Sequence, residues 1–253
     1  MRTVLITGAS SGIGAACART LASEGNYRLF LCARREARLL ELKSELLKDF
    51  ENIEIHTFVL DVRNRDEVFD RIENLPAAWK NIDVLINNAG LSQGLDAVQD
   101  GNPDDWDRMI DTNVKGLLYV TRAVTPFLKQ SQNAHIVNLG SIAGKEVYPN
   151  GNVYCATKHA VDALNKAMRI DLLPFGIKVT AINPGMVETE FSEVRFKGDK
   201  DRAKSVYHGL TPLSGEDIAE TIAFVLSRPA HVNINDLLIM PTAQANGTLV
   251  NRK

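Results

Sequence analysis

The chain has few cysteines and no long hydrophobic run. Its 253 residues include three cysteines, an odd number without metal-ligand spacing; these are Cys17, Cys32 and Cys155. We expect reduced, buried thiols, no bound metal and a cytoplasmic location. No apolar run approaches the roughly 18 residues that a membrane span needs, so we expect no membrane partner. Because the first strand-like run begins directly after Met1, we also expect no secretory signal peptide.

Neither sign of charge dominates. Lysine and arginine total 29, aspartate and glutamate total 31, and the formal net charge is −2 at pH 7. This balance gives no electrostatic case for nucleic acid, so we expect a small-molecule partner. A hydrophobic fraction of 45% suits a buried core, and the length suits one domain over residues 1–253.

Strand-like and helix-like segments alternate along the chain, which is typical of a parallel sheet covered on both faces. The predicted strands are Thr3–Thr7, Tyr27–Ala33, Ile53–Val59, Val84–Asn87, Ala134–Leu139, Lys178–Asn183 and Asp236–Met240. The predicted helices are Gly12–Glu24, Glu36–Phe50, Arg65–Leu75, Pro103–Lys129, Asn152–Phe175 and Gly215–Ser227. We therefore predict an α/β fold: a single-domain Rossmann-type doubly wound sheet of about seven parallel strands with helices on both faces.

The segment from 186 to 212 has no clear period and is rich in charge. It follows the sixth predicted strand, at the edge where an open α/β sheet holds ligands. A loop of this length in a compact domain is usually functional or disordered. We predict a substrate lid around 186–212 that contains short helices.

The amino terminus has the order strand, glycine turn, helix. Residues 8–14 read Gly-Ala-Ser-Ser-Gly-Ile-Gly, with Gly-x-x-x-Gly-x-Gly spacing instead of Gly-x-Gly-x-x-Gly. Glycines allow a tight turn and let the backbone approach a pyrophosphate at the positive end of a helix. The context predicts nucleotide binding by six residues of this turn: Gly8, Ser10, Ser11, Gly12, Ile13 and Gly14.

The end of the second predicted strand indicates which dinucleotide binds. An NAD site usually has a carboxylate here for the ribose 2′-hydroxyl. This strand instead ends in Cys32-Ala33, and Arg34 and Arg35 follow. Because a guanidinium suits a 2′-phosphate, we predict NADP(H), with Arg34 on the phosphate and Arg35 stacked over the adenine. The alternative for one arginine is a solvated start to the helix Glu36–Phe50.

Tyr154 and Lys158 are four residues apart in a predicted helix, which places both side chains on one face. A tyrosine alone is a poor acid–base catalyst, because its ordinary pKa is about 10. A neighbouring ammonium favours the phenolate and lowers that pKa. Ser141 follows the strand Ala134–Leu139, where its hydroxyl can polarise a carbonyl beside the tyrosine. Taken alone, the Tyr–Lys pair has the alternative of a surface helix contact.

Together these motifs resemble those of the short-chain dehydrogenase/reductase family over essentially the whole chain. The shared motifs, in the family's order, are Thr7-Gly8-x-x-x-Gly12-x-Gly14, Asn87-Asn88-Ala89-Gly90, Ser141, Tyr154-x-x-x-Lys158 and Pro184-Gly185. The resemblance extends to NADP-dependent 3-hydroxy acid dehydrogenases in four further stretches: 111–117, 151–154, 191–199 and 231–235.

The resemblance implies roles for individual residues. Tyr154 exchanges a proton with the substrate oxygen, Ser141 polarises that oxygen, and both bind the substrate. Lys158 also holds the nicotinamide ribose, and Asn113 holds a water that links Lys158 to solvent. The cofactor neighbours implied by the resemblance include Tyr154 and Lys158 themselves; the others are Asp61, Val62, Asn88, Ala89, Gly90, Pro184, Gly185, Val187 and Thr189.

Three of these residues have an alternative role. Asp61 can cap a helix or turn, Thr189 can form a turn, and Asn113 can be an inward polar side chain satisfied by backbone. The family also pairs two helices across a two-fold axis, so we expect a homo-tetramer or dimer. Apolar candidates for that exposed face are Leu117, Leu118 and Val161.

The predicted activity is reversible hydride transfer between a nicotinamide and the hydroxyl or carbonyl of a small 3-hydroxy acid or related semialdehyde. The carboxylate of such a substrate favours an arginine partner. Arg195, helped by Lys197, is the predicted ligand; the alternative is that both are exposed lid charges. Tyr148 and Gln93 are placed in the same pocket by loop position alone.

Two other functions remain open at this stage. One is a reductase of other carbonyls, such as 3-oxoacyl, diketone, sulfoacetaldehyde or sugar substrates. The other is a non-catalytic NADP-binding protein, against which the four intact catalytic positions argue.

Overall fold

The computed structural model describes residues 1–253 as one seven-stranded sheet in the order β3-β2-β1-β4-β5-β6-β7. Every neighbouring pair is parallel. The strands are β1 (Arg2–Thr7), β2 (Tyr27–Ala33), β3 (Ile55–Val59), β4 (Val84–Asn87), β5 (His135–Leu139), β6 (Lys178–Pro184) and β7 (Asp236–Ile239). The strand order reverses between β1 and β4, which opens a crevice at the carboxyl ends of the strands. The predicted Rossmann-type fold is confirmed.

Nine α-helices accompany the sheet. They are α1 (Gly12–Ser23), α2 (Glu36–Asp49), α3 (Arg65–Glu73), α4 (Pro103–Ile110), α5 (Leu117–Leu128), α6 (Asn152–Asp171), α7 (Phe191–Arg195), α8 (Lys200–Ser205) and α9 (Gly215–Leu226). None of them combines the length and the apolar character that crossing a membrane requires.

The core lies in two layers, one on each face of the sheet. Along β1, Val4 and Ile6 pack into one apolar cluster with α1, α2 and α9, whereas Leu5 packs into the other with α3, α5 and α6. Strand residues alternate between faces, so an apolar run buries both. The result is a rigid sheet whose strand ends hold the loops of the crevice.

The predicted helix Pro103–Lys129 is wrong in one respect: it contains a π-helical turn at Asp111–Gly116 between α4 and α5. A π-turn inserts one residue into the helical repeat and shifts the faces of the flanking helices, and such turns occur frequently at functional sites. Hydrophobic periodicity cannot reveal it, because both flanking segments keep the ordinary period. The turn carries Asn113.

The predicted helix Asn152–Phe175 ends early, at Asp171. A short 3₁₀ turn, Leu173–Phe175, follows, because Pro174 has no amide hydrogen and clashes with the preceding turn. The predicted exposed face is also partly wrong. Leu118 is 38% exposed, but Leu117 and Val161 belong to the core.

The segment after β6 contains two short helices, α7 and α8, as predicted. Its ends are tied together by backbone hydrogen bonds from Glu188 to Leu213 and from Leu213 to Met186. The hydroxyl of Tyr207 donates to the carbonyl oxygen of Val187 at 2.8 Å and fastens α8 to the base of the loop. The segment is thus an ordered loop that lies over the crevice.

Candidate active site

A cleft of about 330 Å³ opens at the carboxyl ends of the central strands. All the predicted cofactor residues line it except Gly14. A β-carbon on Gly14 would lie 2.5 Å from both the side-chain nitrogen of Asn88 and the carbonyl oxygen of Gly8. Gly14 therefore allows α1 to pack closely on the strand ends and does not itself face the cleft.

The glycine turn is tied to the end of β4. Gly8 has φ +67°, and a β-carbon there would lie 3.0 Å from the Cα of Ala89. The amide of Asn88 donates to the carbonyl oxygens of Thr7 and Gly8 at 2.9 and 3.2 Å, and the Thr7 hydroxyl accepts the backbone N–H groups of Asn88 and Ala89. These bonds hold the turn against β4, and Gly8 and Gly12 present backbone without a side chain to the cleft, as close approach of a pyrophosphate requires.

Asn87, the first residue of the motif that ends β4, has structural contacts and does not line the cleft. Its buried amide donates to the Thr121 hydroxyl and to the side chain of Asn138, both at 2.9 Å. These bonds join β4 to α5 and β5 beneath the cleft.

The two arginines after β2 lie at one end of the cleft and have different surroundings. Arg35 donates to Ser11 at 2.6 Å and pairs with Glu190 at 2.9 Å. Arg34 is exposed and has no hydrogen-bond or ion-pair partner in the chain, so its guanidinium is free to meet a phosphate.

Asp61 lies near Arg34 at the same end of the cleft. Burial acts to raise the pKa of Asp61, but hydrogen bonds from Arg63 and the charge of Arg34 outweigh it and hold the pKa below its usual value. The Arg63 guanidinium bonds both carboxylate oxygens. Asp61 is therefore a fixed, ionised acceptor at the cleft wall.

Ser141 and Tyr154 meet at the other end of the cleft. Ser141 follows β5 and caps a 3₁₀ turn, with its hydroxyl accepting the N–H of Ala143 at 3.1 Å. Its own N–H donates to the Asn183 side chain at 3.2 Å. Tyr154 lines the same end of the cleft, and burial raises its pKa, although hydrogen bonding with Ser141 acts to lower it.

Lys158 and Asn113 lie beneath Tyr154. The Lys158 ammonium donates to the carbonyl oxygen of Leu139 at 2.7 Å. The Asn113 amide exchanges two bonds with the backbone of Leu91, each 2.8 Å, so its predicted alternative as a backbone-satisfied polar residue matches these contacts. A β-carbon on Gly90 would lie 3.3 Å from the Asn113 oxygen and 3.7 Å from the Lys158 nitrogen, so glycine keeps the space between them open.

The predicted effect of Lys158 on the pKa of Tyr154 stays a prediction, because other influences on that pKa are larger in this structure. Burial is the largest influence and raises the pKa of Tyr154 above its ordinary value. The charge that acts to lower it belongs to Arg195, and Ser141 adds a hydrogen bond. Burial also lowers the pKa of Lys158 to about 8. The sequence pattern places the pair on one face but cannot show how thoroughly both groups are desolvated.

The Lys158 ammonium is buried and has a pKa of about 8 in the folded protein, against 10.5 for an ordinary lysine. Below about pH 8 the charged group should therefore destabilise the fold, because the unfolded chain holds the same proton at a lower free-energy cost. Replacing Lys158 with methionine should therefore raise the free energy of unfolding near pH 7. The charge contributes about 3 kcal/mol, and the lost bond to Leu139 offsets about 1 kcal/mol. This gain should shrink as the pH rises from about 8 to about 10.5.

Urea unfolding of Lys158→Met and the unaltered protein across this pH range measures the effect. Lys48→Met, at an exposed lysine in the last turn of α2, is the matched control and should change little. A Lys158→Met protein that is less stable than the unaltered protein near pH 7 would contradict the argument.

Arg195 lies against three aromatic rings beside the tyrosine. Its guanidinium carbon is 5.2 Å from the ring centre of Tyr154, 5.4 Å from that of Phe191 and 5.9 Å from that of Tyr148. It donates to the hydroxyls of Tyr148 at 2.8 Å and Ser92 at 2.9 Å. No carboxylate of the chain pairs with it.

The three residues predicted beside Arg195 in this pocket have different positions. Tyr148 is in place as a partner of Arg195. Lys197 is not, because its ammonium pairs with the carboxylate of Asp105 at 2.8 Å. Gln93, Tyr148 and Arg195 do not line the large cleft, whereas Phe191 and Val194, next to Arg195 in α7, do.

The predicted site residues leave out nine that line the cleft, and three of these nine have polar or aromatic side chains: Thr112, Glu190 and Phe191. The Thr112 hydroxyl is buried and has no hydrogen-bond partner in the chain, so it is an open polar contact on the cleft wall. Its position next to Asn113 was the only available signal. The unpaired guanidinium of Arg34, the glycine turn and the unpaired hydroxyl of Thr112 together fit a phosphorylated dinucleotide.

Comparison with known proteins shows the family to which the chain belongs. Residues 2–200 match the family model for short chain dehydrogenase. The NADP-dependent 3-hydroxy acid dehydrogenase YdfG of Escherichia coli (strain K12) is 44% identical over 96% of both chains. Sulfoacetaldehyde reductase 2 of Chromohalobacter salexigens is 47% identical over 96% of this chain and 95% of its own.

A solved structure shows the same similarity in three dimensions. The closed form of serine dehydrogenase complexed with NADP+ superposes with a TM-score of 0.91, at 44% identity over 99% of this chain and 100% of its own. The family expected from the motifs is thus confirmed, and the chain belongs to the short-chain dehydrogenase family.

Proposed function

We propose that the protein is an NADP-dependent oxidoreductase that interconverts the hydroxyl and carbonyl forms of a small 3-hydroxy acid or related semialdehyde acid. The observation that carries the substrate class is Arg195, a half-buried guanidinium beside Tyr154 without a carboxylate partner in the chain. Relatives that act on hydroxy acids and on an aldehyde that carries a sulfonate support it.

The cofactor residues divide by the part of NADP(H) that they would hold. The glycine turn and Ser11 would take the pyrophosphate, Arg34 and Arg35 the 2′-phosphate end, and Lys158 the nicotinamide ribose. When bound, NADP(H) supplies the hydride-exchanging group.

The catalytic residues act on the substrate oxygen. Ser141 donates a hydrogen bond to that oxygen and stabilises negative charge as it develops there. Tyr154 gives its proton to the oxygen in reduction and takes it back in oxidation. Because burial raises the pKa of Tyr154, the neutral phenol predominates, which suits it to the role of acid.

The proton path is the part of the mechanism that depends on Lys158 and Asn113. With a pKa of about 8, Lys158 can both hold and release a proton near neutral pH. The open space at Gly90 joins its ammonium to the Asn113 oxygen. A water held in that space would connect Lys158 to solvent.

The segment around 186–212 is the lid of this proposal, since it carries Arg195 and Phe191 over Tyr154 within a one-domain protein. We further propose a cytoplasmic homo-tetramer or dimer, to which the exposed Leu118 on α5 would contribute. The apparent mass in solution tests the assembly.

Turnover of a substrate panel tests the function. With NADP+ the protein should oxidise small 3-hydroxy acids such as L-serine, and with NADPH it should reduce semialdehyde acids. Simple alcohols and aldehydes without an acid group should be poorer by about 10²-fold or more, and NAD(H) should replace NADP(H) poorly.

Each arm of the panel separates this proposal from its alternatives. A preference for sulfoacetaldehyde would support an anion site at Arg195 but would mean that the substrate carries a sulfonate instead of a carboxylate, as the name of the 47% identical reductase suggests. A preference for neutral diketones or sugars would contradict the role of Arg195. Binding of NADPH without turnover of any substrate would indicate a non-catalytic protein.

A further inference from the structure

Asp105 in α4 is a charged residue buried outside the catalytic set. Its side chain is 5% exposed, and its carboxylate lies 2.8 Å from the ammonium of Lys197, a side chain that is 51% exposed. A carboxylate taken out of water this completely is retained only when it is paired, and Lys197 is its ion-pair partner. The pair joins α4 to the segment directly after α7.

Lys197 has an unusual backbone conformation for its residue type. It follows the carboxyl end of α7 with φ +53°, in the left-handed region that favours glycine. Glycine stands one position later, at Gly198, where φ is +92°. A lysine therefore occupies a position at which the backbone alone gives no reason for one. The ion pair with Asp105 supplies that reason.

Two further contacts hold the same end of α7. The backbone N–H of Gly94 donates to the carbonyl oxygen of Arg195 at 3.0 Å. The guanidinium of Arg195 donates to Ser92 at 2.9 Å. A β-carbon on Gly94 would lie 3.2 Å from the Asp105 carboxylate, so the three contacts are neighbours. Asp105, Gly94 and Ser92 thus form one docking edge for the helix that carries Arg195.

We propose that Asp105 is a positioning residue for substrate recognition: its ion pair with Lys197 fixes the end of α7 and thereby aims the Arg195 guanidinium at the substrate carboxylate. This inference rests on the proposed function, in which Arg195 binds that carboxylate. Lys197 lies two residues from Arg195 in sequence, so release of its ammonium would free the helix end that sets the guanidinium's direction. The lysine predicted as a second substrate ligand acts instead through its neighbour.

Steady-state reduction of a semialdehyde acid and of a neutral aldehyde of equal length tests the inference. In Asp105→Asn and in Lys197→Met, the KM for the acid should rise about tenfold to a hundredfold, the loss that displacing a positioned group produces. The kcat, the NADPH dissociation constant and the kinetics of the neutral aldehyde should stay within about twofold. In Lys197→Arg the KM for the semialdehyde acid should stay close to that of the unaltered protein, because arginine keeps the positive charge. Lys200→Met, at an exposed lysine in α8, is the matched control and should behave as the unaltered protein.

The outcomes distinguish this inference from the function on which it rests. If Arg195→Met keeps the preference for acids, the proposed function fails. If Arg195→Met loses that preference while Asp105→Asn and Lys197→Met keep it, the function stands and Asp105 has no positioning role. Equal losses of activity on acid and neutral substrates in Asp105→Asn and Lys197→Met would mean a merely structural contact and would overturn the inference. Should Asp105→Asn fail to fold, Lys197→Met decides alone, because its side chain is half exposed.

Discussion

Replacing Tyr154 with phenylalanine should lower kcat by about 10²- to 10⁴-fold in both directions, the contribution of a positioned acid–base group. The phenol is buried, it lines the cleft together with Ser141, and it is the proton donor proposed for the substrate oxygen. Phenylalanine keeps the ring that packs 5.7 Å from the ring of Phe191, so the pocket should keep its shape. NADPH binding, measured by cofactor fluorescence, should change by no more than about threefold.

The pH profile adds a readout that a damaged pocket would not reproduce. The phenolate is the base in oxidation, and burial raises the pKa of Tyr154 above its ordinary value. The oxidation rate of the unaltered protein should therefore climb with pH through the alkaline range, and the residual rate of Tyr154→Phe should not. Tyr119→Phe, at a half-buried tyrosine on α5 outside the cleft, is the control. Undiminished turnover in Tyr154→Phe would overturn the proposed chemistry.

The sheet was predictable because its strands are buried on both faces. Each strand is then a short apolar run bounded by turn residues, and a parallel order follows from the helices between them. Errors arose where backbone geometry departs from a simple period. The π-turn at Asp111–Gly116 leaves no trace in the hydrophobic pattern, and Pro174 ends α6 sooner than its apolar residues suggest.

The site was predictable where it depends on residues that are close together in the sequence. The Tyr154–Lys158 pair follows from the helical repeat, and the glycine turn follows from its neighbours in sequence. Contacts between distant segments were not predictable. The pairing of Glu190 with Arg35 joins residues 155 positions apart. Desolvation, which sets the pKa of Lys158, depends on the whole fold and on no single motif.

Arg195 in α7 and Lys197 just after it show the same limit within one short segment. Arg195 and Lys197 are two residues apart and of like charge, so sequence alone treats them as a pair. In the structure one faces Tyr154 and the other pairs with Asp105. The aromatic rings around Arg195 come from α6, α7 and the segment before α6, and only the fold assembles them. The sequence shows only that Arg195 carries a positive charge. The structure shows that this guanidinium pairs with no carboxylate of the chain, which favours a role in binding an anion.

Replacing Arg195 with methionine should lower kcat/KM for semialdehyde acids by about 10²- to 10³-fold, because a charge-assisted contact in a partly desolvated site contributes about 2–5 kcal/mol. Methionine is flexible and apolar, so it should still pack against the rings of Tyr148, Tyr154 and Phe191. Reduction of a neutral aldehyde of equal length should change by less than about threefold, since it offers the guanidinium no anion. The ratio of the two kcat/KM values is the measurement.

The charge of Arg195 acts on the tyrosine as well, and this gives the variant a second signature. The guanidinium acts to lower the pKa of Tyr154, so its removal should raise that pKa further. Oxidation needs the phenolate, so at a fixed pH it should slow for every substrate and its pH profile should move to higher pH. Reduction needs the neutral phenol and should be spared this effect. A variant that loses acid and neutral substrates equally in reduction would show that Arg195 supports the pocket without recognising a carboxylate.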